Sequence, residues 1–548
     1  MKRRTFLKNI AASSAGAITL GGIPIRVLGG HKALKKAAAA SNNDNVLIFI
    51  QLHGGNDGLN TLIPIDQYAL YYSYRANIAI PDHGSRMYIN IDESIPVQDQ
   101  SGLHPDMIAF KALYDQGKAV IVQNVGYPDM NMSHFHGRDI MFMGLDGNDD
   151  NSGVSSGWMG RWLDTEYPDY PDDYPNEEMP DPIAIEMGSA MSIAFHRDDG
   201  IPIGMNVQSP EEFYNLINGV GNPETLLYRP DGHAGDELEY LWEFEAMSNV
   251  YASRLREVYL AGSNSAVDYP TEYPNPAPAN FINNPLSGQL KLIARLLDGG
   301  IKTRIFLCRI GGFDTHASQV DLSISSYGAH AALLYHLSSS IKAFQDDMAN
   351  LGIEDKVLTM TFTEFGRRVY SNESKGTDHG TSTPVFIFGK ALEGKIVGTT
   401  PDLSNLNNGN LQYGIDYRQI YASVIQDWFQ ASVEGILASG FTEWSNQRID
   451  LFGLLDLRDW NNPRYEISCF PNPASTIINF QFFIMVPSTV TIRILNTLGQ
   501  TVETKTTNNL YYGPQQIPVS VQELDSGFYI FQIADGKSTI GTGKFLKQ

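Results

Sequence analysis

Short runs of consecutive apolar residues recur along the chain, and they predict the strands of a sheet. These runs are VLIFIQL at 46–52, AVIVQNV at 119–125, RIFLCRI at 304–310, VLTMTF at 357–362 and PVFIFG at 384–389. They are mostly rich in β-branched and aromatic residues and lack a helical period, as is typical of strands buried on both faces. Segments with helical spacing lie between some of them, at 238–261, 289–297 and 327–351. This alternation predicts an α/β fold with a three-layer, doubly wound sheet.

Polar side chains follow several of the predicted strands at the point where each strand ends. The run at 46–52 leads into a glycine-rich loop and the run at 304–310 leads into GGFDTH, while a loop dense in Glu, Arg, Asp and His follows the run at 357–362. Because the carboxyl ends of strands in a doubly wound sheet meet at one edge, we expect these loops to converge. The carboxylates and imidazoles that they carry are Asp57, Asp314, His316, Glu364, Asp378 and His379.

These side chains are candidate ligands of a divalent metal. Carboxylates and imidazoles without a thiolate fit zinc, manganese or calcium, and there are enough donors for one ion or two. The chain has only two cysteines, Cys308 inside an apolar run and Cys469 far downstream, so we expect neither a thiolate metal site nor a disulfide framework. Taken alone, the loop at Asp57 is better explained as a plain turn.

Candidate catalytic groups lie after the strand at 119–125 and inside the polar loop that begins at Glu364. Ser133 stands beside His134, so its hydroxyl is either an activated nucleophile or simply the N-cap of a helix whose histidines lie on the surface. Arg367, together with Arg368 and the glycine-lined loops, offers charge for an oxyanion. The catalytic candidates are therefore Ser133, His134 and Arg367.

The overall charge of the chain limits its partners. The 548 residues carry a formal net charge of −22, which disfavours a nucleic-acid partner because phosphates require lysine and arginine. With 42% hydrophobic and 18% charged residues, the chain can bury at least one large core and is expected to divide into domains.

The first forty residues are predicted to be an export signal and not part of the fold. Arg3 and Arg4 precede a weakly apolar stretch rich in glycine and alanine, and small residues at 37–40 suit cleavage by a signal peptidase. The segment at 1–40 resembles a twin-arginine signal, which implies passage through that translocation machinery. No other stretch is long and apolar enough to span a bilayer, so no transmembrane segment is expected in the mature chain.

Changes in amino-acid composition and in the apolar pattern predict the remaining domain boundaries. The segment at 165–285 contains YPDYPDDYPNEEMPDP and a second proline-rich stretch, so it is interpreted as an insertion between two halves of one sheet. Residues 456–465 are predicted to be a linker. From 466 to 548, short runs that alternate apolar and polar residues predict a small antiparallel β-sandwich.

A set of motifs in the main domain carries a resemblance to a known family. The motifs are HGGNDGLNT at 53–61, SHF at 133–135, GWMGR at 157–161, GGFDTH at 311–316, TEFGRR at 363–368 and GTDHG at 376–380. In this order they resemble the domain-of-unknown-function 1501 family, which is similar to the alkaline phosphatase and sulfatase superfamily. The resemblance spans roughly residues 45–455 and implies a sheet of alkaline phosphatase-like type.

The same resemblance implies roles for the candidate residues. Asp57, Asp378 and His379 would form one metal site, Asp314 and His316 would contribute to a second, and Ser133 would occupy the place of the nucleophile. Two departures from the phosphatase pattern are visible, because one residue separates Asp314 from His316 where phosphatases have three, and no histidine follows His379 to complete the second site. A single metal, or a replacement ligand such as Glu364, His53 or His134, therefore remains open.

The C-terminal tail carries a second resemblance. FPNP at 470–473, NTLG at 496–499, LDSGFY at 524–529 and the terminal KFLK at 544–547 resemble the sorting domain of type IX secretion in Bacteroidota. This resemblance implies passage through the periplasm to the cell surface or the medium. The alternative is an ordinary carbohydrate-binding or immunoglobulin-like module.

These features together give two functional hypotheses. The first is a secreted, metal-dependent hydrolase that acts on phosphate or sulfate esters of small molecules or glycans, with Ser133 or water as the attacking group. The second is a catalytically silent surface protein, for binding or structure, on a phosphatase-like fold.

Overall fold

The structure is a computed structural model that describes most of the chain. The described residues are 17–20, 23–26, 43–148, 153–188, 191–218, 251–445, 447–452, 467–484, 488–496, 499–510, 513–535 and 538–548. Of the predicted signal, only Ala17–Leu20 and Ile23–Arg26 are described, and they pair in an antiparallel two-stranded sheet. The twin-arginine pair and the predicted linker at 456–465 lie outside the described residues.

A nine-stranded sheet forms the centre of the main domain. Its strands in chain order are β1 (Val46–His53), β2 (Ala119–Gly126), β3 (Ala184–Met187), β4 (Met205–Val207), β5 (Ile305–Gly311), β6 (Val357–Phe362), β7 (Thr383–Phe388), β8 (Lys395–Val397) and β9 (Ile415–Asp416). Across the sheet the order is β8-β2-β7-β6-β1-β5-β3-β4, and β9 pairs with β2. The apolar runs of the sequence therefore lie side by side in the middle of this sheet.

Strand direction determines where the loops meet. β1 runs parallel to β5 and to β6, while β7 is antiparallel to both β6 and β2. In this register Gly311 lies opposite His53, and Phe362 lies opposite Gln51. The carboxyl ends of β1, β5 and β6 consequently open at one edge, as the sequence predicts.

Helices cover both faces of the sheet. The helices that form these two layers include α1 (Ile108–Asp115), α2 (His134–Met143), α3 (Trp158–Glu166), α4 (Pro285–Asp298), α5 (Ala329–Leu351) and α6 (Tyr417–Ser423). One core is formed by α1, α4 and α5 against alternate strand residues such as Ile48 and Phe306, and a second by α2, α3 and α6 against residues such as Phe49 and Leu307. The predicted three-layer α/β architecture is confirmed.

Further helices, turns and a small sheet complete the domain. The remaining helices are Gly58–Thr61, Tyr68–Arg75, Pro210–Asn218, Val433–Ser439 and a segment at 251–261, with 3₁₀ turns at Val97–Asp99, Pro105–Met107, Ile193–Phe195, Ala279–Phe281 and Glu354–Lys356 and a π-helical segment at Val424–Trp428. A small antiparallel sheet joins Leu62–Pro64, Ile89–Asn90 and Ser101–Leu103. No helix in the described part of the chain combines the length and apolar character needed to cross a membrane.

The structure adds elements in two segments that the sequence predicts to be irregular. Within the segment interpreted as an insertion, β3 and β4 extend the central sheet, and β3 pairs directly with β5. The polar loop after β6 forms a hairpin of Gly366–Ser371 with Thr377–Gly380. Both pairs of strands are short and lie in polar or proline-rich segments. A prediction based on apolar runs therefore does not detect them.

The C-terminal region forms two antiparallel sheets, as predicted. Their strands are Ser468–Phe470, Ile477–Ile484, Ser488–Leu495, Thr501–Leu510, Gly513–Ser520, Gly527–Asp535 and Ser538–Lys547. One sheet has three strands and the other four. Alternate residues such as Phe480, Ile492 and Phe531 are buried between them in a core of their own. The predicted β-sandwich is confirmed.

Candidate metal centre

Four segments that are distant in sequence meet at the carboxyl edge of the sheet. They are the glycine loop after β1, the start of α2, the loop after β5 and the hairpin that follows β6. Gly54 has a φ of 124°, and a Cβ there would lie 2.2 Å from the backbone nitrogen of Asp314. A glycine is therefore required for the first and third of these segments to approach so closely.

Three side chains in this region form a group that can hold a metal ion. One ligand atom from each of His134, Asp314 and His379 lies within 4.8 Å of the other two. His134 Nε2 is 3.4 Å from Asp314 Oδ2, and His379 Nε2 is 3.5 Å from Asp314 Oδ1. The Asp314 carboxylate thus lies between two imidazole nitrogens.

The hydrogen bonds of His379 select its tautomer. Its Nδ1 lies 2.8 Å from the backbone oxygen of Met132, which can only accept a hydrogen bond, so Nδ1 carries the proton. Burial lowers the pKa of His379, which favours the neutral ring. The lone pair of Nε2 is therefore directed at the cluster, as in a metal-ligating histidine.

His134 is oriented in the same way by a carboxylate. Its Nδ1 lies 3.0 Å from Oε1 of Glu364, a fully buried side chain that also accepts a hydrogen bond from the backbone N–H of Gly54 at 2.8 Å. Nδ1–H donation to Glu364 leaves Nε2 facing Asp314. Glu364, predicted as a ligand from the sequence, lies behind His134, at the position that a carboxylate takes behind a histidine that binds a metal.

Two unprotonated nitrogens that face one carboxylate provide a test of whether a metal fits. Lone pairs on His134 Nε2 and His379 Nε2 would repel the oxygens of Asp314 unless a proton or a cation lies between them. Two imidazoles and a carboxylate are a donor set suited to a borderline divalent ion. The residues present therefore fit a metal.

Arg367 fixes the position of Asp314. Its Nη2 lies 2.7 Å from Asp314 Oδ1, and its other nitrogens donate to the backbone oxygens of Gly55 at 2.8 Å and Thr377 at 2.9 Å. It also donates to the backbone oxygens of Gly54 and Phe313. Burial raises the pKa of Asp314, but the hydrogen bond and charge of Arg367 outweigh burial and hold that pKa below its usual range. The side chain is buried and engaged, so Arg367 is not available to an oxyanion as the sequence suggests.

His316 and Asp378 line the solvent side of the cluster. His316 Nε2 lies 2.8 Å from His379 Nε2 and 3.3 Å from Asp314 Oδ1, and its Nδ1 lies 3.4 Å from Asp378 Oδ1. The side chain of Asp378 is 59% exposed, and that of His316 is 46% exposed. Both residues are next to the three-ligand group without being members of it.

An aromatic ring packs against both histidines of the cluster. The ring centroid of Phe365 is 4.9 Å from that of His134 and 4.4 Å from that of His379, and the two imidazole centroids are 4.5 Å apart. A Cβ on Gly55 would lie 2.3 Å from the Phe365 ring, so this glycine leaves room for it. Phe365 therefore supports the orientation of the two imidazoles from the protein side.

Asp57 makes its contacts elsewhere. Both of its carboxylate oxygens lie 2.8 Å from Arg75 Nη1, and Oδ2 accepts a further hydrogen bond from Gln319 at 2.6 Å. Burial raises the pKa of Asp57, yet the charge of Arg75 outweighs burial and lowers it overall. The expectation that Asp57 shares a metal site with Asp378 and His379 therefore needs revision, because its oxygens are committed to a buried ion pair.

Ser133 is exposed at the N-cap position of α2. Its side chain makes no capping hydrogen bond, although its backbone oxygen accepts one from Gly137 at 2.7 Å. It precedes His134 directly, so its hydroxyl lies near the cluster in sequence. The position is therefore that of an N-cap whose hydroxyl does not cap the helix, and the role of Ser133 as a nucleophile stays a prediction.

Two arginines near the site were missed from the sequence. Arg138 lies one turn after His134 on α2, and Arg309 is an exposed residue of β5. The signal for Arg309 was its charge at the end of the apolar run RIFLCRI, which a strand buried on both faces would not tolerate without a function or an opening.

Two family models match the chain. Residues 257–437 match a protein family of unknown function, DUF1501, and residues 468–548 match a secretion system C-terminal sorting domain. Both resemblances drawn from the motifs are thereby confirmed over these residues. The sorting domain indicates that the protein is secreted or located at the cell surface. No curated protein matches the chain, and the twin-arginine signal stays a prediction.

Solved structures similar to this one share little sequence with it. A protein solved in work on the metabolism of multiple glycosaminoglycans by Bacteroides thetaiotaomicron is 9% identical, with 85% of this chain and 92% of that chain covered and a TM-score of 0.31. A protein of the alkaline phosphatase superfamily from Vibrio parahaemolyticus is 10% identical, with 88% and 85% covered and a TM-score of 0.31. The alkaline phosphatase of the Antarctic bacterium TAB5 is 11% identical, with 73% and 99% covered and a TM-score of 0.25.

Proposed function

We propose that the protein is a secreted, metal-dependent hydrolase that cleaves a phosphate or sulfate ester. The observation that carries this proposal is the convergence of His134, Asp314 and His379 at a solvent-accessible edge of the sheet. Each histidine has its Nδ1 bound to an acceptor and its Nε2 directed at Asp314. The three donors are already brought together, and only the contact of His316 Nε2 with His379 Nε2, at 2.8 Å, must give way to an ion.

The donor set favours zinc or manganese over calcium. Calcium prefers six to eight oxygen ligands, whereas two of the three donors here are imidazole nitrogens. A divalent cation held by these residues supplies Lewis acidity, which stabilises negative charge on the ester oxygens. His134, Asp314 and His379 hold the ion, and Glu364 and Arg367 hold two of these ligands in place.

The attacking group is proposed to be the hydroxyl of Ser133, with water as the alternative. Ser133 is exposed, its side chain does not cap the helix, and it is adjacent to a residue of the cluster. It also stands at the N-terminus of α2, where unpaired backbone N–H groups favour an anionic oxygen. The substrate is an ester of a small molecule or a glycan.

Metal analysis and an ester panel test the proposal on full-length protein. Purified wild type should contain a divalent ion that His379→Ala removes, and should hydrolyse at least one aryl phosphate or aryl sulfate when zinc or manganese is supplied. Ser133→Ala should keep the metal and lose turnover if its hydroxyl attacks, and should keep both if water attacks. A folded wild type that binds no metal would refute the proposal.

The catalytically silent alternative predicts a different result. A protein that binds metal at this cluster but turns over no ester in the panel would be a metal-binding surface protein on the same fold. Turnover that disappears in both His134→Ala and His379→Ala would exclude that alternative.

A further inference from the structure

A row of polar side chains, named the trough below, lies on one face of the sheet beside the candidate metal centre and consists of His53, Gln51 and Arg309. Along β5, the residues Phe306, Cys308 and Ile310 pack into the core under α4 and α5, so Arg309 points to the opposite face, on which α2 lies. Arg309 is opposite Gln51 in the register with β1, and His53 follows two residues later on the same face. The trough therefore leads from His53 toward Arg309.

Arg309 is unusual for its position. It lies near the carboxyl end of β5, two residues beyond the last residue that pairs with β3, and its side chain is exposed. Among the residues that the structure describes, its guanidinium makes no hydrogen bond and no ion pair. A cation in such a place is expected to meet an anion from outside the protein.

Arg138 faces the same trough from above. It is four residues after His134 on α2, so the two side chains share a face of the helix. Its ion-pair partner in the described chain is the adjacent Asp139, at 2.8 Å and with both side chains partly exposed. Exposed pairs of this kind are weak and easily exchanged for another anion.

The charges of the two arginines act on each other and on His53. The pKa of Arg309 is lowered by burial first and then by the positive charge of Arg138. Burial also lowers the pKa of His53, and both arginines lower it further, although Glu364 opposes them. These effects agree with two guanidinium groups close to one another at the end of the trough.

Carboxylates of the protein do not compensate this positive charge fully. Glu186 of β3 lies on the same face, but burial raises its pKa to about 7 despite hydrogen bonds from Ser192, so near neutral pH it is partly protonated. Glu364 is already engaged by His134 and by the N–H of Gly54. An external anion would therefore find the arginines available.

An exposed aromatic ring borders the trough. Phe135 is 71% exposed and directly follows His134, and the Arg138 Cζ atom lies 5.9 Å from its ring centroid. An exposed phenylalanine at the first turn of a helix is costly to solubility and offers a flat apolar surface to a ring of a ligand.

We propose that Arg138 and Arg309 bind a second anionic group of the substrate, a phosphate or sulfate substituent beside the ester that reacts, with Phe135 against the ring that carries both. The inference rests on the proposed function for the identity of the reacting group. It defines the substrate class as a ring, such as a sugar, that bears at least two phosphate or sulfate groups.

Equilibrium binding tests this inference independently of turnover. Calorimetry would compare glucose 1-phosphate with glucose 1,6-bisphosphate, and N-acetylglucosamine 6-sulfate with its 3,6-disulfate, on the full chain. Wild type should bind the compound with two phosphate or sulfate groups more tightly than the compound with one, in at least one of these pairs. Arg309→Ala and Arg138→Ala should each reduce that preference roughly tenfold or more, since a lost charged hydrogen bond has that magnitude, and Arg309→Lys should restore part of it.

Controls separate the inference from the proposed function and from general charge effects. Lys390→Ala removes an exposed positive charge beside Glu354, at the opposite edge of the sheet, and should leave the preference unchanged. A preference that the arginine variants do not alter, or an equal loss for both members of a pair, would overturn the inference. If the preference depends on the arginines while metal and turnover are absent, the proposed function fails and the anion site stands.

Discussion

The Nε2 atoms of His316 and His379 lie 2.8 Å apart. Because His379 donates its Nδ1–H to Met132, its Nε2 has a lone pair, and the contact requires the proton to be on Nε2 of His316. His316 thus occupies the lone pair that a metal would use. Metal binding at His379 must displace this hydrogen bond, and the two residues are expected to respond differently to mutation.

We expect His379→Ala to abolish metal binding and His316→Ala to retain it. The first variant removes a member of the three-ligand group, whereas the second removes a neighbour that competes for the same nitrogen. Metal content after dialysis, measured by elemental analysis, checks this. His83→Ala, which changes a histidine with a 90% exposed side chain, is the control. Equal loss of metal in both cluster variants would make His316 a ligand and contradict the assignment.

Glu364→Gln should weaken metal binding while the protein stays folded. The amide keeps the size of the side chain but replaces the carboxylate that orients His134. Losses of about 10–100-fold in metal affinity are typical when such a carboxylate is removed. Competition with a chromophoric chelator measures the affinity, and Glu373→Gln in the nearby exposed turn is the matched control. An unchanged affinity would show that Glu364 does not act through His134.

Arg367→Ala should destabilise the fold strongly, and Arg368→Ala should not. Loss of the buried guanidinium leaves the oxygens of Gly54, Gly55 and Thr377 without their donor, at a cost of about 3–5 kcal/mol in the free energy of unfolding. Arg368 is exposed, and its replacement should change that free energy by less than about 0.5 kcal/mol. Urea denaturation measures both. If the two variants were equally stable and only Arg367→Ala lost activity, Arg367 would act in catalysis and the structural role would be contradicted.

We expect the free energy of unfolding to fall as the pH is lowered from 6.5 to about 4, because His330 is neutral in the folded protein. Burial lowers the pKa of His330 from 6.5 to about 4, and its ring contacts Asn56 Oδ1 at 3.1 Å. In the unfolded chain this histidine is protonated below about pH 6.5, whereas in the folded protein it stays neutral down to about pH 4. The free energy of unfolding therefore declines by about 3 kcal/mol as the pH falls between these values. His330→Gln should flatten this part of the profile, and His83→Gln should not. The readout is the free energy of unfolding measured from pH 7 to 4.

Deletion of residues 466–548 should leave the main domain folded and change only its location. The core of the C-terminal sandwich contains none of the residues that form the cores on either side of the central sheet. The thermal unfolding transition of the main domain should therefore be unchanged. Cell fractionation should find the full chain outside the cell and the truncated chain in the periplasm. The same distribution for both would indicate a binding module and not a sorting signal.

The apolar runs were sufficient to predict the middle of the fold. Strands such as Val46–His53 and Val357–Phe362 are buried on both faces, so each reads as an uninterrupted run and its position follows from the pattern. The strands Ala184–Met187 and Met205–Val207 were not predicted. They are short, and they gain their stability from pairing with neighbours already in the sheet, which leaves little trace in their own sequence.

The site was predicted as a set of residues but not as a geometry. Strand ends converge at one edge of the sheet, where the structure brings Asp314 and His379 into one group, whereas the sequence analysis assigns them to two metal sites. The separation of Asp57 from them depends on Arg75, a residue whose helix gives no hint of the partner that it will meet. In the same way, the sequence does not distinguish Arg367 and Glu364 from residues that contact a substrate. Their burial in the structure shows that they hold other residues in position.

Phe365 gives the protein a way to tune the candidate metal centre at a residue that offers no donor atom. Its ring contacts the imidazoles of both His134 and His379, which also contact each other with their ring centroids 4.5 Å apart. A Cβ on Gly55 would lie 2.3 Å from the Phe365 ring, so the phenyl ring is held against the two histidines. A smaller residue at 365 would free both imidazoles to tilt about the hydrogen bonds of their Nδ1 atoms. The angle between the two nitrogen donors is therefore adjustable without a change of ligand.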